Sequence, residues 1–374
     1  MLTRAERLVA ATAAVVLTAG LVGTSVAEEP AVTRPAPAVA AVTPSPSIVA
    51  APKVVAGPSA PAPVTARPAV SKPVPPAPPQ AGCPVPKRRN AKPYVPKPLA
   101  APIVADSALP MALPAGPKAT DLSPVTGKGI WVTNWPKSVV DVPAVVARAK
   151  RSGLQSIWVR TGGSRQGYYG DRILPQLVPA AHAAGLQVIA WDFPFLSDPV
   201  ADAQRAKAAL ATGIDAFAPD VETTAEGTHA TARRVALYLS LVRAYAGDTV
   251  IAATVPRPTP KRRASFPYAA FAPYADVFVP MIYWSCNEPG RLVEQSLREL
   301  GRWLPVHPVG QGYDMGTEGG RRGLPSYAET LRFLDYARRG GAVGASLWTY
   351  EKVGPNQWLA LSGYRWPGRV RAAG

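Results

Sequence analysis

Cysteine and histidine are scarce in this chain, with two of the former and three of the latter in 374 residues. Two cysteines exclude a disulfide-dense scaffold. No HExxH run or clustered Cys/His spacing offers a protein-built zinc site. A Ser-His-Asp triad has no G-x-S-x-G elbow to sit on. His182 falls on a predicted helix and His307 at the start of a predicted strand, both as packing residues, while His229 follows an acidic loop. No strand-like run is followed by a GxGxxG fingerprint. The Gly-rich stretch "TGGSRQGYYG" lacks both that spacing and the Lys-Ser/Thr end of a phosphate loop. Neither a metal nor an organic cofactor is expected.

Long apolar runs are scarce too. The single example is N-terminal, where Arg4 and Arg7 precede Leu8 to Val22 and a small-residue site ends at Ala27. This is the pattern of a secretory signal peptide over residues 1–27; an uncleaved anchor is the alternative, at the lower length limit for a span. The expected location is therefore secreted or in the cell envelope, with no membrane association after cleavage. Acidic residues are few, and the net charge is +17. No basic block exceeds Lys87-Arg88-Arg89. For an exported chain such a balance points to anionic envelope polymers as partners, and nucleic acid is not expected.

More than half of the 44 prolines lie between Glu28 and Pro124. Proline fixes φ and removes amide donors, and the apolar residues here are small and aperiodic. Residues 28–124 therefore read as a disordered Pro/Ala-rich linker. Cys83 lies in this tract and Cys286 in the region beyond it. A bridge between them would tie linker to domain; two free thiols or a bond to another chain are equally open from sequence.

The pattern changes over residues 125–374. Eight continuous apolar runs, among them "GIWVTNW", "LQVIAWDFPF", "IDAFAPDVET" and "DVFVPMIYW", each precede a stretch of helical spacing. Continuous runs imply strands buried on both faces, hence a parallel sheet. Gly153, Gly185, Gly213, Gly247 and Gly340 stand where helix C-caps belong. Eight units in about 250 residues is the count and size of a closed (β/α)8 barrel of the α/β class.

Chemistry in such a barrel belongs to the C-terminal strand ends. Those ends carry Asn134, Trp135, Arg160, Trp191, Asp192, Asp220, Glu222, Tyr283, Trp284, Asp314, Trp348, Tyr350 and Glu351. A ring of carboxylates and aromatics suits a carbohydrate cleft, with carboxylates working on the glycosidic oxygen and aromatic faces on the sugars. Asp220 and Glu222 are two apart on one strand. Both leave the same face, with Cα atoms about 6.6 Å apart. Their proximity raises at least one pKa and supplies a proton donor near neutral pH.

The runs "KGIWVTNW", "SIWVRTGG", "AAHAAGLQVIAW", "APDVET" and "SLWTYE" resemble, in order, family 25 glycoside hydrolases, the barrel-type muramidases. That resemblance implies peptidoglycan as substrate and Glu222 of the Asp-x-Glu motif as acid. Where that family carries a first-strand acid, this sequence has Trp131. "VPMIYW" and "GASLWTYE" are similar to strands of family 18 chitinases. The second resemblance implies substrate-assisted catalysis, with Glu222 protonating the leaving oxygen, Asp220 steadying the substrate acetamide and Tyr283 hydrogen-bonding it. Arg160, Trp191, Asp192, Trp284, Asp314, Trp348 and Asn134 are the expected substrate contacts. The expectation is a secreted enzyme cleaving an N-acetylated cell-wall polysaccharide. The alternative, motivated by Trp131, is an inactive barrel that binds such a polymer.

Overall fold

Each buried apolar run does become a strand. A computed structural model describes Cys83 and residues 102–136, 140–318 and 320–366, all within the unit Pro73–Gly374. The expected signal peptide and, Cys83 apart, residues 28–101 of the expected linker lie outside the described residues. Among the described residues no helix is long and apolar enough to cross a membrane.

The strands are β1 (Gly127–Val132), β2 (Ser156–Gly163), β3 (Gly167–Tyr168), β4 (Gln187–Phe193), β5 (Ala216–Pro219), β6 (Val250–Pro256), β7 (Val277–Ile282), β8 (Val309–Gln311) and β9 (Gly344–Trp348). All but β3 pair in parallel, in the order β1-β9-β8-β7-β6-β5-β4-β2, and β1 pairs with β2 to close the ring. The result is a (β/α)8 barrel. The short β3 is antiparallel to β2, with Gly163 opposite Gly167. "TGGSRQGYYG" is thus a hairpin at the rim.

Helices α1 (Val142–Arg151), α2 (Leu174–Ala183), α3 (Pro199–Leu210), α4 (Ala232–Ala246), α5 (Pro260–Ser265), α6 (Pro289–Leu300), α7 (Tyr327–Arg339) and α8 (Pro355–Gly363) separate the barrel strands. Side chains of Asp141, Asp198, Thr231, Thr259, Glu288 and Ser326 accept the first free amides of α1 and α3 to α7. Each such cap contributes about 1 kcal/mol. Gly185 and Gly213, at φ 74° and 77°, turn the chain back from α2 and α3 toward the next strand.

Strand parity divides the core in two. Ile130, Val132, Val159, Ala190, Phe217 and Phe278 face the helices. Trp131, Trp158, Ile189, Trp191, Ala216, Ala218 and Val279 fill the barrel itself. The indoles set its packing: Trp131 stacks on Trp158 at 4.8 Å and meets Trp191 and Trp348 at 5.6 and 5.8 Å. Small residues on β5 and β6, namely Ala216, Ala218 and Ala252, make room for them.

The domain begins earlier than composition suggests. Residues 102–124, assigned above to the linker, run as a strap down the outside of α4. Val104 donates to the Ser197 carbonyl near the C-terminal rim, and Asp106 pairs with Arg234 at 2.5 Å. Leu113 donates to Ser240 Oγ, and Ala119 donates to Asp276 just before β7. The strap ends at the barrel floor, where Val125 is fully buried and its carbonyl accepts from His307 Nδ1 at 2.7 Å. Backbone amides that find partners at fixed side chains order a Pro-rich segment whose own sequence has no helix or strand period.

Candidate active site at the mouth of the barrel

The site is built on β5. Phe217 and Val221 are fully buried against the helices, so alternation turns Ala218, Asp220 and Glu222 toward the barrel axis. The extended geometry persists past Pro219. Asp220 forms a parallel bridge to Thr254, its amide donates to the Asp192 carbonyl at 2.8 Å, and Val221 donates to the Thr254 carbonyl at 3.0 Å. Asp220 is 6% exposed, and its Oδ1 is sealed from solvent with no hydrogen-bond partner among the described residues. Glu222, one step nearer the rim, keeps part of its surface open.

Both carboxyls are pushed up. Burial is the main cause for Asp220, opposed by the positive field of Arg160 and reinforced by Asp192 and Glu226. For Glu222, burial leads again, followed by the charges of Asp220 and Glu226; Arg262 opposes them and Glu318 adds to them. A carboxyl so placed holds its proton at pH values where a surface glutamate has lost it. Tyr283, just beyond β7, is half-buried and lies edge-on to Tyr313 at 5.5 Å. Its phenol is held protonated by burial, then by Tyr313, Asp220 and Glu222.

Two acids absent from the sequence-based set border this cluster. Glu226 folds back on its own turn, accepting from the Thr223 amide and hydroxyl at 3.2 and 2.5 Å. Glu318 accepts from the Tyr313 hydroxyl at 2.8 Å. Glu226 sits in a turn and Glu318 ends the short 3-10 helix Met315–Glu318, and neither is long enough for periodicity to give a facing direction. Trp135, a strand-end aromatic outside the expected contact set, also borders the mouth. It is 47% exposed beyond the end of β1, with the Arg160 guanidinium over its ring.

Trp191 lies beneath the mouth, almost wholly buried, and its Nε1 donates to the Val132 carbonyl at 3.2 Å. Trp348 meets it edge-on at 5.3 Å and is half-buried; the peptide that follows it is cis. Asn134 is buried, and its Nδ2 donates to the Arg160 carbonyl at 3.0 Å. Trp131, in the place of the family 25 acid, is packed out of reach by the other indoles, and its Nε1 donates to Ser346 Oγ. Cys83 and Cys286 form a disulfide with Cα atoms 5.9 Å apart, three residues past Tyr283.

Three expected contacts are not brought to the mouth. Asp192 has the opposite parity to Trp191, so it points at α3, where Arg205 pairs with it at 3.0 Å. Trp284, next to inward Tyr283, turns outward, stacks on Phe333 at 5.5 Å and donates to Glu329. Asp314 is solvent-exposed and accepts from the Gly316 amide at 2.7 Å. Its carboxyl lies below the usual range because the Gly316 and Gly323 amides stabilise the charge. His182 bonds Asp215, and the His307 ring is held near a pKa of about 4 by burial. Among the described residues no group of three or more His, Cys, Asp or Glu is placed to hold a metal.

No protein-family model matches this sequence, and no curated protein matches it. Among solved structures it is similar to the spore cortex-lytic enzyme SleL of Bacillus megaterium QM B1551, at 10% identity and a TM-score of 0.49 over 66% of this chain and 75% of that one. A chitinase from Chromobacterium violaceum ATCC 12472 gives 11% and 0.49, over 63% of this chain and 98% of that one. A GH18 chitinase from Pseudoalteromonas aurantia gives 11% and 0.46, over 63% and 100%. At such identities the likeness concerns the barrel fold alone.

Proposed function

We propose that this chain is a glycoside hydrolase-like barrel that cleaves an N-acetylated polysaccharide of the cell envelope, with Glu222 as general acid and base. What carries this reading is the inward pair at the end of β5: a proton-holding Glu222 beside Asp220, whose buried Oδ1 lacks a donor. A buried acceptor without a partner in the free protein suits an N–H that arrives with the substrate. An acetamido sugar brings one.

Glu222 gives its proton to the glycosidic oxygen as that bond breaks. The acetamide oxygen of the same sugar attacks the anomeric carbon, which replaces a protein nucleophile. Asp220 accepts the acetamide N–H and Tyr283 donates to its carbonyl, so both act where charge develops. Water then attacks the anomeric carbon and opens the cyclic intermediate, and Glu222, now ionised, takes a proton from that water. Trp135 and Trp348 offer the accessible indole faces for sugar rings. The +17 charge draws an exported chain toward anionic envelope polymers.

Replacing Glu222 with Gln tests the assignment. Release of reducing sugar from peptidoglycan or chitin is expected to fall at least about 100-fold, with the fold intact. Unchanged turnover overturns it. The second reading, a barrel that binds polysaccharide without cutting it, is favoured by the burial of Trp131 at the slot of the family 25 acid. Wild-type protein that sediments with purified wall and releases no new reducing ends supports that reading instead.

A further inference from the structure

Beside the carboxyl pair stands a buried cation with no counter-ion. Arg160 is the last inward residue of regular β2, above Trp158, and is 3% exposed. Its guanidinium carbon lies 4.2 Å from the Trp135 ring centroid and 5.1 Å from that of Trp191. Nε donates to the Gly162 carbonyl at 3.1 Å. Arg160 makes no ion pair among the described residues, and no protein acceptor among them takes the four N–H bonds of its Nη atoms.

The surroundings explain why that edge is left open. The two indoles cover the guanidinium, which leaves its in-plane N–H edge for a ligand. The rim hairpin adds room: a Cβ on Gly163 would stand 2.9 Å from Arg160 Nη2 and 2.9 Å from Gln166 Oε1. Of the charged groups in its field, Asp192 is already committed to Arg205, and Asp220 is held toward its neutral form. The Tyr169 hydroxyl, also in that field, is buried and has no partner among the described residues. Burying a charged group without a partner costs several kcal/mol. An anion at the mouth recovers that cost.

We infer that Arg160, with the Tyr169 hydroxyl beside it, is a carboxylate subsite, so that the ligand is an N-acetylated glycan carrying a carboxylate. This rests on the carbohydrate reading above and narrows it from neutral chitin-like chains to acidic ones. The carboxylate has two chemical sources, a lactyl ether on the amino sugar or a neighbouring uronic acid, and Arg160 recognises the group common to both.

Calorimetric titration of the full chain carrying Glu222→Gln tests this. The probes are chitotetraose, a disaccharide repeat of N-acetylglucosamine and N-acetylmuramic acid, and a hyaluronan tetrasaccharide. At least one acidic probe is expected to bind about tenfold tighter than chitotetraose, a difference of about 1.4 kcal/mol; whichever does so identifies the source. Adding Arg160→Gln removes the preference and leaves chitotetraose within about twofold. Because Arg160 is buried, Gly163→Ala serves as a second variant, displacing the guanidinium while keeping its charge. The methyl ester of the tighter acidic probe removes the ligand charge with no change to the protein, and is expected to bind like chitotetraose. Equal binding of all probes overturns this inference alone, as does a preference that survives Arg160→Gln. Absence of binding by any probe overturns the carbohydrate reading together with it.

Discussion

Asp192 and Asp220 are neighbours on adjacent strands, both buried, and joined through their backbones at 2.8 Å. Their surroundings are opposite. Asp192 sits directly across from Pro219 and looks outward. There Arg205 binds it through Nε and Nη2 and binds Asp202 at 2.7 Å. Burial works against the charge on Arg205, and the two aspartates more than offset it. Asp220, one step farther along, looks inward to a cluster of acids with an unpartnered Oδ1. One residue of register separates a carboxylate paired with a guanidinium from one whose Oδ1 has no partner among the described residues. In the outer layer Asp192 is paired with a guanidinium; at the inner mouth the Asp220 Oδ1 and the Tyr169 hydroxyl have no partner among the described residues.

Breaking that contrast is direct. The largest stability effect is expected for Asp192→Ala, which takes from Arg205 one of its two carboxylates and leaves it Asp202 alone. Breaking a buried pair costs about 3–5 kcal/mol when the remaining charge is left alone, and with Asp202 still in place the lower end applies, a fall in Tm on the order of 10 °C by calorimetry. Asp220→Asn is expected to cost no Tm at neutral pH while turnover falls at least about 100-fold. If the two variants behave alike in the calorimeter, the distinction drawn here is wrong.

A smaller effect concerns pH. A carboxyl whose folded pKa is raised contributes stability that is complete below its unfolded value of about 4. That contribution is lost as pH rises through the folded value. Asp220 and Glu222 are both raised. The double variant Asp220→Asn, Glu222→Gln should therefore match wild type in Tm near pH 3 and exceed it increasingly above about pH 4. A gap that is constant across pH would show that the pair is not strained by burial. Smallest of all is Asp314→Asn on the exposed rim, expected to leave turnover unchanged and Tm within about a degree.

Much of the fold was legible because buried parallel strands write themselves as continuous apolar runs. The eight runs, and Asp220 and Glu222 at the end of one of them, follow from that and from the period of two. Asp192 and Trp284 were misplaced for a related reason. They stand at strand ends in the chain, but their parity is opposite to that of Trp191 and Tyr283, and position alone does not distinguish in from out. Glu226, Glu318 and the open face of Trp135 depend on turns, a single 3-10 turn and loop paths that carry no period. The strap was hidden differently. Its proline content reads as a chain with no partners, whereas its partners lie 93 to 182 residues downstream.

Those separations bear on the order of assembly. The strap precedes every barrel strand in the chain, yet the groove it fills is made by α4 and the approach to β7, and its end meets His307 only after β7 is complete. Closing contacts of such length costs chain entropy before any reward is returned. The segment that leads into β1 is thus among the last able to dock, because the Ser240, Asp276 and His307 side chains that receive it are all synthesised well after it.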